Sequence, residues 1–405
     1  MLHSRLERLV RVGHLWVTYP NGKTGRYGDG AGPRTVVNLT YRGERRLTLN
    51  PQLGLGESYM DGDLELLEGG FWDLVEIIGR NQVAPSWRNG PLWRTIYAVE
   101  RLLEQWNDRA TARRNVSHHY DLSVELYRRF LDKDMQYSCG YFAEPGMTLE
   151  AAQAAKKAHL AAKLDLAQGQ RVLDIGCGWG GLAIDIARQH QVEVAGVTLS
   201  TEQVTLAKAR AESAGLADRV RFDLTDYRDV EGQFDRIISV GMLEHVGAPN
   251  LEAYFAQVSR LLSDDGLAVV HAIGSRSPPR VSQPFIRKHI FPGGYVPSLS
   301  QVTAAVENVG LWITDIEILR LHYAETLRHW RLRFLREREA IAALYDERFC
   351  RMWEVYLCLS ELGFRYLNLM VFQLQLAKRV DAAPLTRDYI YRQDYADEMS
   401  MPRRA

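Results

Sequence analysis

The run Val172-Leu173-Asp174-Ile175-Gly176-Cys177-Gly178-Trp179-Gly180-Gly181 carries the chain's densest chemical signal. Arg171 to Ile175 is a short apolar run of the kind that forms a buried parallel strand, and Leu182 to Arg188 resumes with helical spacing. Glycines at 176, 178 and 180 let the backbone pass close to a ligand where a Cβ would clash. A strand-to-helix turn of this type is where open α/β sheets bind nucleotides. No P-loop lysine follows, because Gly180-Gly181-Leu182 stands where Gly-Lys-Ser/Thr would be required.

The neighbouring residues narrow the ligand. Asp174 lies near the strand end before the glycines, an arrangement common in S-adenosylmethionine (SAM) methyltransferases, where the acid faces the methionine end. After the second strand candidate comes Gly196-Val197-Thr198-Leu199-Ser200-Thr201-Glu202-Gln203. Dinucleotide sites place an acid there for ribose hydroxyls, and Thr198 and Ser200 in its stead weaken NAD. Ser200 or Thr201 can cap the helix that follows and turn its amides toward the crevice. Asp226-Tyr227 can flank an adenine, or can equally be a capping acid and a core aromatic.

A sheet must hold these residues. Strand candidates are 171–175, 192–198, 220–223, 236–240 and 268–273, with helices at 181–189, 201–214 and 251–261 between them. That alternation predicts an α/β, doubly wound, Rossmann-like domain. Residues 276–345 break the rhythm and read as mostly helix and loop, suited to a substrate cover. The first 82 residues read as a small α+β domain. Leu15–Thr18 and Thr35–Leu39 are β-rich, Asn21-Gly22 signals a hairpin, and Leu53–Tyr59 and Phe71–Ile78 read as helical. Pro85 and Asn89-Gly90-Pro91 punctuate a linker, and an amphipathic helix over 92–107 follows. The expected organisation is 1–82, a linker and helix over 83–110, a catalytic domain over 111–393, and a tail over 394–405.

Composition limits the function classes. The 405 residues carry 50 basic and 50 acidic side chains, against the basic excess of a nucleic-acid binder. Cys139, Cys177, Cys350 and Cys358 have neither disulfide-framework nor metal-ligand spacing, so no metal is expected. Arg11 and His14 interrupt the first apolar run, and no stretch reaches the ~18 apolar residues of a membrane span. The expectation is a cytoplasmic protein in a reducing compartment. Basic residues nevertheless cluster at Arg5, Arg8 and Arg11 and at Arg328, Arg331, Arg333, Arg336 and Arg338. These are solvated helix faces or attraction to anionic lipid headgroups.

The chain resembles the cyclopropane-fatty-acyl-phospholipid synthase family, together with the mycolic acid cyclopropane synthases. The matching residues are His119-Tyr120-Asp121-Leu122-Ser123, Met135-Gln136-Tyr137-Ser138-Cys139-Gly140-Tyr141-Phe142, the glycine turn, Gly196 to Ser200 with Gln203, Gly241-Met242-Leu243-Glu244-His245-Val246-Gly247, and His271-Ala272-Ile273-Gly274. The resemblance implies attack of an acyl-chain cis double bond on the SAM methyl, then proton loss from the added methyl and ring closure. The base is a bicarbonate ion held by Cys139, Glu244, His271, Tyr323 and the Ile273 amide. SAM contacts fall to Tyr137, Ser138, Asp174, Gly176, Cys177, Gly178, Thr198, Ser200, Gln203, Asp226 and Tyr227.

One departure stands out. The family often has a cysteine four residues before the phenylalanine of the late helix, whereas Phe364 here has Ser360 at that spacing and Cys358 further upstream. No role is assigned to either. A fatty-acyl C-methyltransferase giving a methyl-branched unsaturated chain is the nearest alternative, and a small-molecule N-methyltransferase a more distant one. The expected partners are a phospholipid bilayer surface, reached peripherally from the inner face, and a second copy of the chain. Arg5, Arg8, Arg11, Trp16, Phe71 and Trp72 are the candidates for surface contact.

Overall fold

The computed structural model describes residues 1–81, 122–279 and 283–391. The linker, the helix expected over 92–107, His119 to Asp121, and the tail lie outside the described residues. The described chain forms two compact units, 1–81 with 283–292 and 323–369, and 122–279 with 293–322 and 370–391.

In the first unit, β1 (His14–Thr18), β2 (Thr24–Tyr27), β3 (Arg34–Leu39) and β4 (Leu64–Glu68) form a sheet in the order β2-β1-β3-β4. β1 and β2 pair antiparallel across the Asn21-Gly22 turn, where Gly22 takes φ 79°. Thr40 caps the helix Tyr41–Leu49, and Asn50 caps Pro51–Met60, which has proline at its first position. Val17, Val37, Phe71 and Val75 share one core with Phe285 and with Val355, Cys358 and Leu362 of the helix Glu347–Tyr366. A chain shortened to begin at residue 83 would therefore leave that helix face uncovered. Phe71 is fully buried and stacks on Tyr59 at 4.4 Å, which corrects its expected place at a surface.

The second unit is built on seven strands: β5 (Arg171–Ile175), β6 (Glu193–Thr198), β7 (Val220–Leu224), β8 (Phe234–Val240), β9 (Leu262–Ser275), β10 (Trp312–Leu319) and β11 (Leu369–Ala377). Their order is β10-β11-β9-β8-β5-β6-β7. β5 through β9 are mutually parallel and β10 pairs antiparallel with β11. β10 adds a strand to the expectation of mostly helix and loop over 276–345. Its Trp-Ile-Thr-Asp-Ile-Glu-Ile-Leu sequence runs along an edge, where half-exposed isoleucines blur the alternation.

Residue alternation packs both sheet faces. Leu173, Ile175, Ile237 and Val270 join the helices Leu251–Leu261 and Leu299–Val309 in one core. Val172, Val194, Ile238 and Val269 join Leu149–Leu164, Gly181–His190 and Thr201–Ser213 in the other. β5 has β6 on one side and β8 on the other, so strand order reverses there. The crevice outside the carboxyl ends of β5 and β8 is where such a sheet receives a ligand.

Candidate active site

At that crevice the chain leaves β5 through Gly176 (φ 83°) and Gly178 (φ 54°) and enters the helix Gly181–His190. The Gly176 and Cys177 amides both donate to the Val197 carbonyl, at 2.9 and 3.1 Å, which ties the turn to β6. A Cβ on Gly176 would approach Met242 to 3.1 Å, whereas a Cβ on Gly178 would meet nothing within 4 Å. The missing side chain at 178 therefore opens onto free space. Asp174 is 2 % exposed, and burial pushes its carboxyl up to about 7 against the pull of the Lys156 charge. Its Oδ2 is enclosed without a hydrogen-bond partner among the described residues. An orphaned acceptor beside an open glycine turn fits the cationic amino end of a methionine-type ligand.

The remaining predicted contacts fall into two groups. Ser200 Oγ accepts from the Gln203 amide at 3.3 Å, so Ser200 is the helix cap, and Thr198 Oγ1 donates to Gln203 Oε1 at 2.7 Å. Tyr137 packs edge-on against Tyr127, and Ser138 Oγ accepts from Lys156 Nζ at 2.8 Å. Asp226 caps the short turn Tyr227–Asp229 and pairs with the Arg228 guanidinium, while Tyr227 packs edge-on against Tyr254. These last are the contacts of a capping acid and a core aromatic.

A second cluster lies where β8 and β9 end. Val240 pairs with His271 as the last register partners, so Ile273 extends beyond β8. Glu244, on the short turn Leu243–His245, brings Oε1 to 2.6 Å from the Ile273 amide and takes up that leftover donor. Its Oε2 has no partner among the described residues, and burial pushes the carboxyl up to about 7. His271 is equally enclosed, and burial drives its imidazole down to about 3, so the ring is neutral at physiological pH. Cys139 is buried, with Sγ 3.3 Å from the Gly140 carbonyl. The structure thus places His271 two residues back from Ile273 on the same strand, while the Ile273 amide, expected to hold the anion itself, donates to Glu244 Oε1.

Two residues of this neighbourhood escape sequence reasoning. Lys156, fully buried on the helix Leu149–Leu164, donates to Gln136 Oε1 at 2.5 Å and to Ser138 Oγ. Its charge acts on Asp174 and His271, and burial lowers its own ammonium to about 8. Gln373 on β11 lies 3.1 Å from His271 Nδ1. The available signals were a lysine on the apolar face of a helix and a glutamine inside an apolar strand. Tyr323 belongs to the first unit, on the helix His322–Arg336, packed edge-on against Trp330 and tilted against Phe364. Cys358 is a core thiol of that unit, pushed well up by burial.

Known proteins match this architecture along its length. The mycolic acid cyclopropane synthetase family covers residues 107–374, and a family described only as a domain of unknown function covers 1–85. The cyclopropane-fatty-acyl-phospholipid synthase of Escherichia coli is 39% identical over 386 residues, 94% of this chain and 98% of that protein. The tuberculostearic acid methyltransferase of Mycobacterium tuberculosis is 38% identical, covering 90% of this chain and 88% of its own. A solved mycolic acid cyclopropane synthase, in complex with S-adenosylhomocysteine and the surfactant CTAB, superposes with a TM-score of 0.62 at 32% identity. That alignment covers 65% of this chain and 97% of the other. The fold and the glycine turn define a SAM-dependent methyltransferase. Within that class, the chain belongs to the mycolic acid cyclopropane synthetase family.

Proposed function

We propose that this chain transfers a methylene unit from SAM to the cis double bond of an unsaturated phospholipid acyl chain, giving a cyclopropane ring. The observation that carries the reading is Glu244 Oε2, enclosed without a partner among the described residues and near the neutral His271 at the carboxyl ends of β8 and β9. An alkene cannot be activated by deprotonation, so the protein must position it and stabilise developing positive charge. Bicarbonate, when bound, supplies negative charge and the base that takes the proton from the added methyl. The residues suit a small anion. Neutral His271 and a Glu244 carboxyl that still holds its proton up to about pH 7 can both donate hydrogen bonds without repelling it. Cys139 completes the set on the resemblance, and the role of Tyr323 rests on that resemblance alone.

SAM binds at the glycine turn in this reading, its amino end toward Asp174. Docking on phospholipid, as a homodimer on the inner membrane face, falls to the first unit. No described helix is long and apolar enough to cross a membrane. The candidate surface set shrinks to Arg8 and Arg11, because Phe71 is core, Trp72 lies under the Arg331 guanidinium, Trp16 lies under those of Arg26 and Arg34, and Arg5 donates to the Thr48 carbonyl. Three arginines of the late cluster are likewise engaged, Arg328 with Glu325, Arg331 with Glu361 and Arg338 with Glu354.

The test is lipid analysis of a host lacking such activity before and after expression of this chain. Upfield ring protons in the NMR spectrum of the product lipid are the expected result, with turnover lowered in bicarbonate-free buffer and restored by adding the ion. Vinylic protons beside a new methyl group would instead select the branched product. The 38% identity to a tuberculostearic acid methyltransferase is the observation favouring that second reading.

A further inference from the structure

His271 can carry its single proton on either ring nitrogen, and the choice decides whether it offers the pocket an N–H or a lone pair. Its Nδ1 lies 3.1 Å from Nε2 of Gln373. An amide nitrogen has hydrogens and no available lone pair, so Gln373 donates and Nδ1 accepts. That leaves the proton on Nε2. Turning the amide over would aim Oε1 at Nδ1 and put the NH2 group where Oε1 now lies. Oε1 has no partner among the described residues at that position. An orphaned buried carbonyl oxygen is less costly than an orphaned buried N–H, so the observed orientation is the favoured one.

Nothing else accounts for Gln373. It is wholly buried in the middle of β11, paired through its backbone with Glu317, and among the described residues its side chain reaches only His271. Gln375, two residues on and on the same face, is used differently. It donates to the Lys163 carbonyl at 2.5 Å and accepts from Thr314 Oγ1 at 2.7 Å. Gln375 is structural cement, while Gln373 leaves half of its amide unsatisfied to hold one ring nitrogen.

We propose that Gln373 is a positioning residue that fixes His271 as the Nε2–H tautomer, so that His271 donates a hydrogen bond to the pocket anion and does not take the substrate proton. The proposal rests on the anion-site reading above. The test uses full-length protein with 15N-labelled histidine, the His271 signals being assigned by their loss in His271→Ala. Wild type should show a protonated Nε2 and an unprotonated Nδ1. Gln373→Met, which keeps the volume and removes the donor, should lose that single tautomer and raise the KM for bicarbonate roughly 10–100-fold. SAM affinity by calorimetry should stay within about twofold, since Gln373 reaches no residue of the glycine turn. Gln373→Glu, which accepts in place of donating, should move the proton to Nδ1.

A wild-type ring protonated on Nδ1, or an Nε2–H tautomer unaltered in Gln373→Met, would overturn the proposal. The tautomer is read without turnover. A wild-type Nε2–H signal lost in Gln373→Met, with a rate indifferent to bicarbonate, would refute the anion reading and leave the hold of Gln373 on the ring established.

Discussion

Buried charge is handled in opposite ways in the two units. In the first, Arg331 pairs with Glu361, Glu354 with Arg338 and Tyr59, and Asp63 with Arg46. In the second, Lys163 is saturated by Asp315 and Glu317 on β10, yet at the crevice the pairing stops. Asp174 and Glu244 each keep an oxygen with no partner among the described residues, and Lys156 is held by an amide and a hydroxyl. Burying an ionisable group without a counterion is unfavourable, and a fold retains it where a ligand completes the set. Paired charge marks architecture here; unpaired charge gathers at the crevice.

The comparison breaks first at the glycine turn. Gly178→Val should abolish SAM binding measured by calorimetry, because its side chain would enter the open space while its backbone must keep a left-handed φ. Wild-type affinity would mean that the open side of Gly178 is not the cofactor crevice. Glu244→Gln and His271→Ala should leave SAM affinity within about twofold and cut methyl transfer by roughly 100-fold or more, the loss typical of removing a preorganised polar group. Activity near wild type in both would remove the anion-site assignment.

Paired charge should fail differently. Arg331→Leu leaves Glu361 buried with only Arg365 among the described residues, and also uncovers the Trp72 ring. The expected loss is roughly 3 kcal/mol of stability by urea unfolding, with the SAM affinity of the folded protein unchanged. A variant as stable as wild type would erase the contrast between the units.

The sequence disclosed the local elements of the second unit more fully than their long-range arrangement. Glycine spacing, strand runs and caps are local signals, and β5, β6, β7, β8 and the helix starting at Thr201 fall within a few residues of expectation. β10 and β11 escaped because one is a half-exposed edge strand and the other is interrupted by Gln373 and Gln375. The partners Glu244–Ile273 and His271–Gln373 are 29 and 102 residues apart. Only strand order brings them together, and periodicity carries no information about that. Local signals confine the first unit to the 82 residues at the start of the chain, yet its core takes in a helix starting at Glu347. Long-range packing of apolar faces leaves no local mark.

The smallest expected effect tests unpaired charge most directly. Glu244 in the folded ligand-free protein titrates at about 7, above its ordinary 4.5, because burial disfavours the ionised form. Between those two values the folded state keeps a proton that the unfolded state has released. Stability contributed by this group therefore falls as pH rises through that window and stays low above it. Glu244→Gln removes the titration while its amide oxygen can still accept from the Ile273 N–H. Relative to wild type, the variant should gain about 1–3 kcal/mol between pH 5 and pH 8 in urea unfolding without ligand. An inactive variant more stable at pH 8 than the active enzyme would show a carboxyl kept for function at the expense of the fold. A difference independent of pH would mean that Glu244 already has a compensating partner, and the distinction drawn between the two units would lose its strongest member.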